Sequence, residues 1–276
     1  MILINGEDRH SIDVSDRGFQ YGDGLFETIA VANGKPLFLQ QHLSRLFAGC
    51  KQLLIPPPDI ALLVAESRQL ASKADNAVLK MIVTRGSGGR GYRQPANIAP
   101  TRVLSLHPFP EYPADYQTDG VRIRFCQLRL AKNPALAGIK HLNRLEQVLA
   151  RAEWDDDAIQ EGLMCDHEGY VIEGTMSNLF VVKNDMLLTP NLTHCGIRGI
   201  LREIVVNFAS TRKIGVFEKQ QLDQQSILEA DEIFITNSVI GIWPVRQLNE
   251  QCFKVGRITR RMQQWYAEAR KEEMKL

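Results

Sequence analysis

The chain has 276 residues, enough for one large domain or two of moderate size. Hydrophobic residues make up 44% and charged residues 24%, the profile of an ordinary globular protein and not of a collagenous or disordered one. Lys and Arg total 33 against 32 for Asp and Glu, so no global field draws the chain to nucleic acid or an anionic membrane, and a small-molecule partner is expected. Five cysteines stand singly with no CxxC, which argues against a disulfide framework or zinc cage and for a reducing cytoplasm. The start turns polar within five residues, so no signal peptide is expected. No apolar run approaches the roughly 20 residues of a membrane span.

In chain order, short strands are predicted at Ile2 to Asn5, Leu25 to Val31, Val78 to Thr84 and Arg102 to Leu106, rich in Val, Ile and Leu and bounded by Gly, Asp and Pro. Helical spacing of Leu43, Leu46, Phe47, Cys50, Leu53 and Leu54 predicts a helix over Gln40 to Leu54, and Asp59 caps a second running to about Lys73. Pro108, Pro110 and Pro113 mark a linker, which places an N-terminal α/β domain at 1–110, the linker at 111–120 and a C-terminal domain at 121–276. That second domain opens with a strand, Val121 to Leu130. A helix from about Leu142 to Trp154 follows, with Leu142, Leu145, Val148, Leu149 and Ala152 as its buried stripe. Strands are then predicted at Gly162 to Asp166, Tyr170 to Glu173, Leu179 to Val182 and Met186 to Thr189, with His167-Glu-Gly and Lys183-Asn-Asp as turns. A helix opens near Gly199, a strand covers Glu232 to Thr236, and a C-terminal helix runs from Val255 to about Glu273. The strand-rich second half suggests a curled sheet or barrel, and the class is α/β of the α+β kind.

Four segments could carry chemistry, and each has a bland alternative. Lys140, after a flexible glycine and before a helix, would by default be solvated. Glu173-Gly-Thr-Met-Ser-Asn178 sets a carboxylate at a strand end before small residues that let a flat ligand approach, or is an ordinary turn. Gly196-Ile-Arg-Gly199-Ile-Leu-Arg feeds a helix whose first N–H groups could hold a phosphate, without matching a P-loop. Arg85-Gly-Ser-Gly-Gly-Arg90-Gly-Tyr92 combines two guanidiniums and four glycines, suited to anions or simply a mobile hairpin. His42 and His141 lack a second metal ligand at helical or loop spacing, so no metal site is expected. Trp154, Trp243 and Trp265 read as core or interface.

In order, these segments resemble the class IV fold of pyridoxal-phosphate enzymes, the group that holds branched-chain aminotransferases, D-amino acid aminotransferases and aminodeoxychorismate lyases. The carrying residues are Ser15-Asp-Arg-Gly-Phe-Gln-Tyr-Gly-Asp-Gly-Leu-Phe-Glu, His42-Leu-Ser-Arg45-Leu, the Lys140 and Glu173 segments and the Gly199 turn. The Thr84 to Tyr92 loop and the stretch from Asn133 through Lys140 are similar to the lyase branch.

The resemblance implies a fold-type IV architecture, a smaller N-terminal α/β domain with a larger C-terminal one carrying the cofactor lysine. It implies pyridoxal 5'-phosphate as cofactor, held as a Schiff base on Lys140, with Glu173 at the pyridine nitrogen and Asn178 nearby. Phosphate contacts are implied for Arg45, Gly199, the N–H groups of Ile200 and Leu201, and Asn237 or Ser238. Helical periodicity alone would leave Arg45 solvated. Phe26, Arg90 and Tyr92 are implied to line the substrate pocket, while Arg85 is structural. The expected reaction converts 4-amino-4-deoxychorismate to 4-aminobenzoate and pyruvate on the route to folate, in a cytoplasmic homodimer. A D-amino acid or branched-chain aminotransferase on the same scaffold is the alternative, and a non-catalytic protein that merely binds the cofactor is the alternative of another class.

Overall fold

A computed structural model describes residues 1–275. The chain divides into two compact units. The first comprises Met1–Pro110, Ile139–Asn143 and the stretch from Lys271 onward; the second comprises Glu111–Gly138 and Arg144–Arg270.

Unit 1 contains β1 (Ile2–Ile4), β2 (Glu7–Asp8), α1 (Arg17–Tyr21), β3 (Gly24–Ala32), β4 (Lys35–Pro36), α2 (Leu39–Gln52), α3 (Ile60–Ala71), β5 (Asn76–Thr84) and β6 (Thr101–Pro108). Its six strands form an antiparallel sheet in the order β2-β1-β6-β5-β3-β4. The period-2 alternation of a strand buries Leu25, Ile29, Leu79, Met81, Val83 and Leu104. The apolar stripe of α2, with Leu43, Leu46 and Cys50 buried, covers β3. Gly49 permits that approach, since a Cβ there would stand 2.8 Å from the Leu25 side chain. Asp59 caps α3 as expected, accepting from Ala61 N at 2.7 Å. Leu54, expected on the buried stripe of α2, lies just past its end in the left-handed region (φ 56°) and is exposed.

Unit 2 contains α4 (Asp115–Thr118), β7 (Val121–Leu130), α5 (Leu145–Arg151), β8 (Glu161–Asp166), β9 (Val171–Gly174), β10 (Asn178–Lys183), β11 (Met186–Pro190), α6 (Ile200–Thr211), β12 (Val216–Lys219), α7 (Gln224–Leu228), β13 (Glu232–Asn237), β14 (Gly241–Leu248), β15 (Gln251–Cys252) and all but the last three residues of α8 (Arg257–Glu273). The strands form one sheet in the order β12-β11-β10-β13-β14-β7-β8-β9, with β15 beside β14. β9, at one end of that order, also packs against β10 and β11 near the other end, so the sheet curls around its core. Leu163, Val181, Ile235, Trp243 and Val245 lie at the centre of that core. The β10–β11 hairpin turns on Asn184 and Asp185, both at positive φ, as a two-residue hairpin requires.

Three expectations need correction. The helix predicted from Leu142 to Trp154 is only α5, and its apolar residues Leu145, Val148 and Leu149 are exposed while Gln147 and Ala150 face inward. β14 is missing from the predicted strands; its Pro244, a residue uncommon in central strands, is accommodated where β14 pairs with β13, beside an irregularity at Val245/Gln247 in the pairing with β7. The proline-rich stretch read as a linker holds α4 and packs within unit 2, with Tyr112 and Tyr116 edge-on to Trp243 at 4.8 and 5.1 Å. Because Trp243 is 1% exposed and anchors both tyrosines, Trp243→Ala is expected to cost about 3–5 kcal/mol, read by urea unfolding.

Candidate functional site

Unit 1 carries the lysine. β4 pairs with β3 only at Val31 and Ala32, which leaves the edge of β3 open at its start. The segment 139–143, expected within the C-terminal domain, occupies that edge. Phe26 N donates to Lys140 O at 2.9 Å, Leu142 N donates to Gly24 O at 3.0 Å, and Leu25 bridges His141. Asn143 Nδ2 adds a bond to Gly22 O at 3.0 Å. Lys140 is half-buried, and its Nζ stands 4.2 Å from the centre of the Phe26 ring. Phe26 is thus a wall for the lysine amine.

Next to Phe26, Glu27 is buried and receives His42 Nδ1 at 2.6 Å and Arg45 Nε at 2.8 Å, with Arg45 Nη2 closing a bidentate pair. The Arg45 side chain is only 12% exposed, so periodicity alone misplaces it in solvent. Burial by itself would push the Glu27 carboxyl up, but the Arg45 charge and the His42 hydrogen bond bring it down to about 2. Burial lowers the His42 imidazole against the opposing pull of Glu27; its Nε2 is buried without a partner.

The Gly-rich loop divides its arginines. Arg85 is buried, grips Asp23 through Nε and Nη2, and donates to Leu53 O and Leu54 O at the end of α2, a structural role. Arg90 and Tyr92 are exposed; Tyr92 is 89% exposed and its ring meets that of Tyr21 at 5.7 Å.

Unit 2 carries the carboxylate and the helix end. Glu173, near the end of β9, is 3% exposed, and its Oε2 accepts from Ile197 N at 2.7 Å. Asn178, at the start of β10, donates to Ile197 O at 2.9 Å and accepts from Gly199 N at 3.1 Å. Gly138 binds the same turn from outside through Gly196 O and Arg198 N. Glycine at 199 is a matter of space, because a Cβ would fall 2.1 Å from Asn178 Oδ1. No side chain caps α6, so the first-turn N–H groups at Ile200 and Leu201 point out of a helix start with its positive dipole end.

The turn after β13 sharpens the choice between Asn237 and Ser238. Asn237 Oδ1 accepts from Val239 N and Ile240 N, and its Nδ2 donates to Met176 O, so this side chain is engaged in holding the turn. Thr236, which sequence reasoning missed, is 1% exposed with a hydroxyl that has no partner. It lies directly across from Asn178 in the β10–β13 pairing, and Asn178 holds Gly199. A polar residue ending a buried apolar strand was the available signal. Together Thr236, the half-buried Ser238 and the uncapped helix start suit an anion.

The amino-transferase class IV family profile matches residues 24–248. The aminodeoxychorismate lyase of Vibrio harveyi is 35% identical over 267 residues, covering 95% of this chain and 98% of the relative. The crystal structure of 4-amino-4-deoxychorismate lyase from Pseudomonas aeruginosa superposes with a TM-score of 0.93 at 44% identity, covering 97% of this chain and 98% of that one. The Escherichia coli branched-chain amino acid aminotransferase gives 0.87 at 27% identity, over 99% and 95%.

The Glu27 carboxyl titrates far lower folded than its ordinary 4.5, so its contribution is fully present above about pH 4.5 and is lost as pH falls toward about 2. The shift corresponds to roughly 3 kcal/mol. Urea unfolding between pH 6 and pH 2.5 should show this loss in the parent protein and a flatter profile in Glu27→Gln.

Proposed function

Since the chain belongs to the amino-transferase class IV family, we propose that it is a pyridoxal-phosphate enzyme, an aminodeoxychorismate lyase that converts 4-amino-4-deoxychorismate to 4-aminobenzoate and pyruvate. The observation that carries the lyase reading is the 44% identity to the Pseudomonas aeruginosa lyase over nearly the full length of both chains.

The residues present fit the cofactor. The unpartnered Thr236 hydroxyl, Ser238 and the uncapped start of α6 at Ile200 and Leu201 offer donors for its phosphate, and Gly199 leaves the room. Arg45 supplies a guanidinium already oriented by Glu27. Glu173, buried and held by Ile197 N, is the carboxylate for the pyridine nitrogen. Lys140 is the amine for covalent attachment. Pyridoxal phosphate bound there supplies an electrophilic carbonyl for amines and a ring that accepts an electron pair.

Each residue then has a stated task. Glu173 holds a proton at the pyridine nitrogen, which strengthens the electron sink. With the cofactor bound, the Lys140 amine would be the general base for the proton at substrate C4. Loss of that proton with cleavage of the C3–O bond would leave the carbocycle aromatic and release enolpyruvate, which takes up a proton to become pyruvate. Phe26 supports the lysine amine from one side. Arg90 and Tyr92 serve the substrate's carboxylates, for which their exposure on a glycine-rich loop leaves them available.

The enzyme acts in the cytoplasm, where its free cysteines stay reduced, and as a homodimer. In support of the dimer, α5 presents Leu145, Val148 and Leu149 at 75, 60 and 58% exposure, an apolar face that a second copy would cover.

Supplying 4-amino-4-deoxychorismate and following 4-aminobenzoate, beside an assay pairing amino donors with 2-oxoglutarate, tests the proposal; amino transfer without 4-aminobenzoate would favour the aminotransferase alternative. Glu173→Gln is expected to keep the cofactor bound and to lower kcat by about 10²-fold or more, in the range of a lost acid–base contribution. Unchanged turnover would remove that role. Val148→Asp should shift the protein from dimer to monomer in sedimentation; an unchanged mass would place the interface elsewhere.

A further inference from the structure

Beneath the turn that joins β9 to β10 lies a carboxylate with no role in the chemistry above. Glu161, the first residue of β8, is 0% exposed. Its Oε1 accepts from Gly162 N at 2.9 Å, Thr175 N at 3.0 Å and Thr175 Oγ1 at 2.6 Å. Its Oε2 accepts from Met176 N at 3.2 Å and Ser177 Oγ at 2.7 Å. Five neutral donors, rather than a cation, hold the charge.

Four of those donors belong to Thr175, Met176 and Ser177, the three residues between Gly174 and Asn178. The turn is closed by Gly174 N on Ser177 O at 2.7 Å. A Cβ at Gly174 would stand 2.7 Å from Glu161 Oε2 and 2.4 Å from Ser177 Oγ, so glycine is what lets the turn close on the carboxylate. From the other side Asn237 Nδ2 holds Met176 O at 3.1 Å. The flanking residues are Glu173 and Asn178, which hold the Ile197–Gly199 turn.

A buried carboxylate is costly unless its lone pairs are met. An ionised carboxylate accepts only, which matches a set made wholly of donors. A glutamine would turn an NH₂ group toward at least one of them, donor against donor. We infer that Glu161 is a positioning residue for the cofactor site of unit 2: its charge draws residues 175–177 inward and so sets the orientation of Glu173 on one side and Asn178 on the other. This rests on the cofactor reading above.

The test uses holoenzyme loaded with pyridoxal phosphate, in the parent and in Glu161→Gln, Glu161→Asp, Ser177→Ala and Glu173→Gln. Melting temperature, cofactor dissociation constant, the visible absorption band and kcat are measured on each. Folded Glu161→Gln is expected to bind the cofactor at least tenfold more weakly, with a displaced band and a kcat reduced at least tenfold. Glu161→Asp should recover part of each, and Ser177→Ala should show a smaller change in the same direction. A folded Glu161→Gln with parental dissociation constant, band and kcat, altered only in melting temperature, overturns the inference. If Glu161→Gln does not fold, Ser177→Ala decides, and parental values there overturn it. Were Glu173→Gln to leave all four measurements unchanged while Glu161→Gln shifted them, the role of Glu173 would fall and the positioning of Asn178 by Glu161 would stand.

Discussion

The open edge of β3 is where the reactive part of unit 1 is assembled. Phe26 N on Lys140 O and Leu142 N on Gly24 O dock the segment 139–143 as a short added strand. A lysine otherwise has a mobile backbone as well as a flexible stem. Here backbone hydrogen bonds hold the lysine's segment against β3, and the amine stands 4.2 Å from the centre of the Phe26 ring. The same stretch of β3 provides Glu27, which orients Arg45 with His42 as a third partner. One strand therefore sets the lysine, its wall and the arginine.

Unit 2 follows a comparable logic with different parts. The turn at 196–199 is bound from Glu173, Asn178 and Gly138, so the start of α6 has a defined direction. Because protein side chains already hold the turn, the first N–H groups of α6 remain for an anion. Glu161 secures the residues that present Glu173 and Asn178. Thr236 is among the buried polar groups of this unit that lack a partner, with Arg122 Nε, Gln147 Oε1 and Arg202 Nε, and of these it is the one directly across from Asn178 in the β10–β13 pairing.

The regular elements were legible because their patterns are local. Runs rich in Val, Ile and Leu between Gly, Asp and Pro located β3, β5 and β6, an Asp cap located α3, and a hairpin signal located β10 and β11. α5 was misread since periodicity reports that a face is apolar, not what covers it; Leu145, Val148 and Leu149 have the spacing of a core stripe and lie on the surface. β14, which was not predicted, carries Pro244, a residue uncommon in central strands. The site was less legible than the fold. Nothing near Lys140 in sequence announces that it pairs with a strand more than a hundred residues earlier, and nothing around Arg45 announces its carboxylate on β3. Those placements come from long-range pairing; the ordered motifs of a family pointed to roles for Lys140 and Arg45 but not to these partners. Asn237 carries a second task that its sequence does not show, because its Oδ1 accepts from Val239 N and Ile240 N within its own turn.

The account stands on Lys140 as the covalent anchor for pyridoxal phosphate. Borohydride reduction of the loaded protein, followed by peptide mapping by mass spectrometry, tests this directly. The predicted result is a single pyridoxyl adduct on the peptide bearing Lys140, with loss of the visible absorption. An adduct on another lysine such as Lys80, which also lies near Phe26, or a protein that takes up no cofactor, would contradict it.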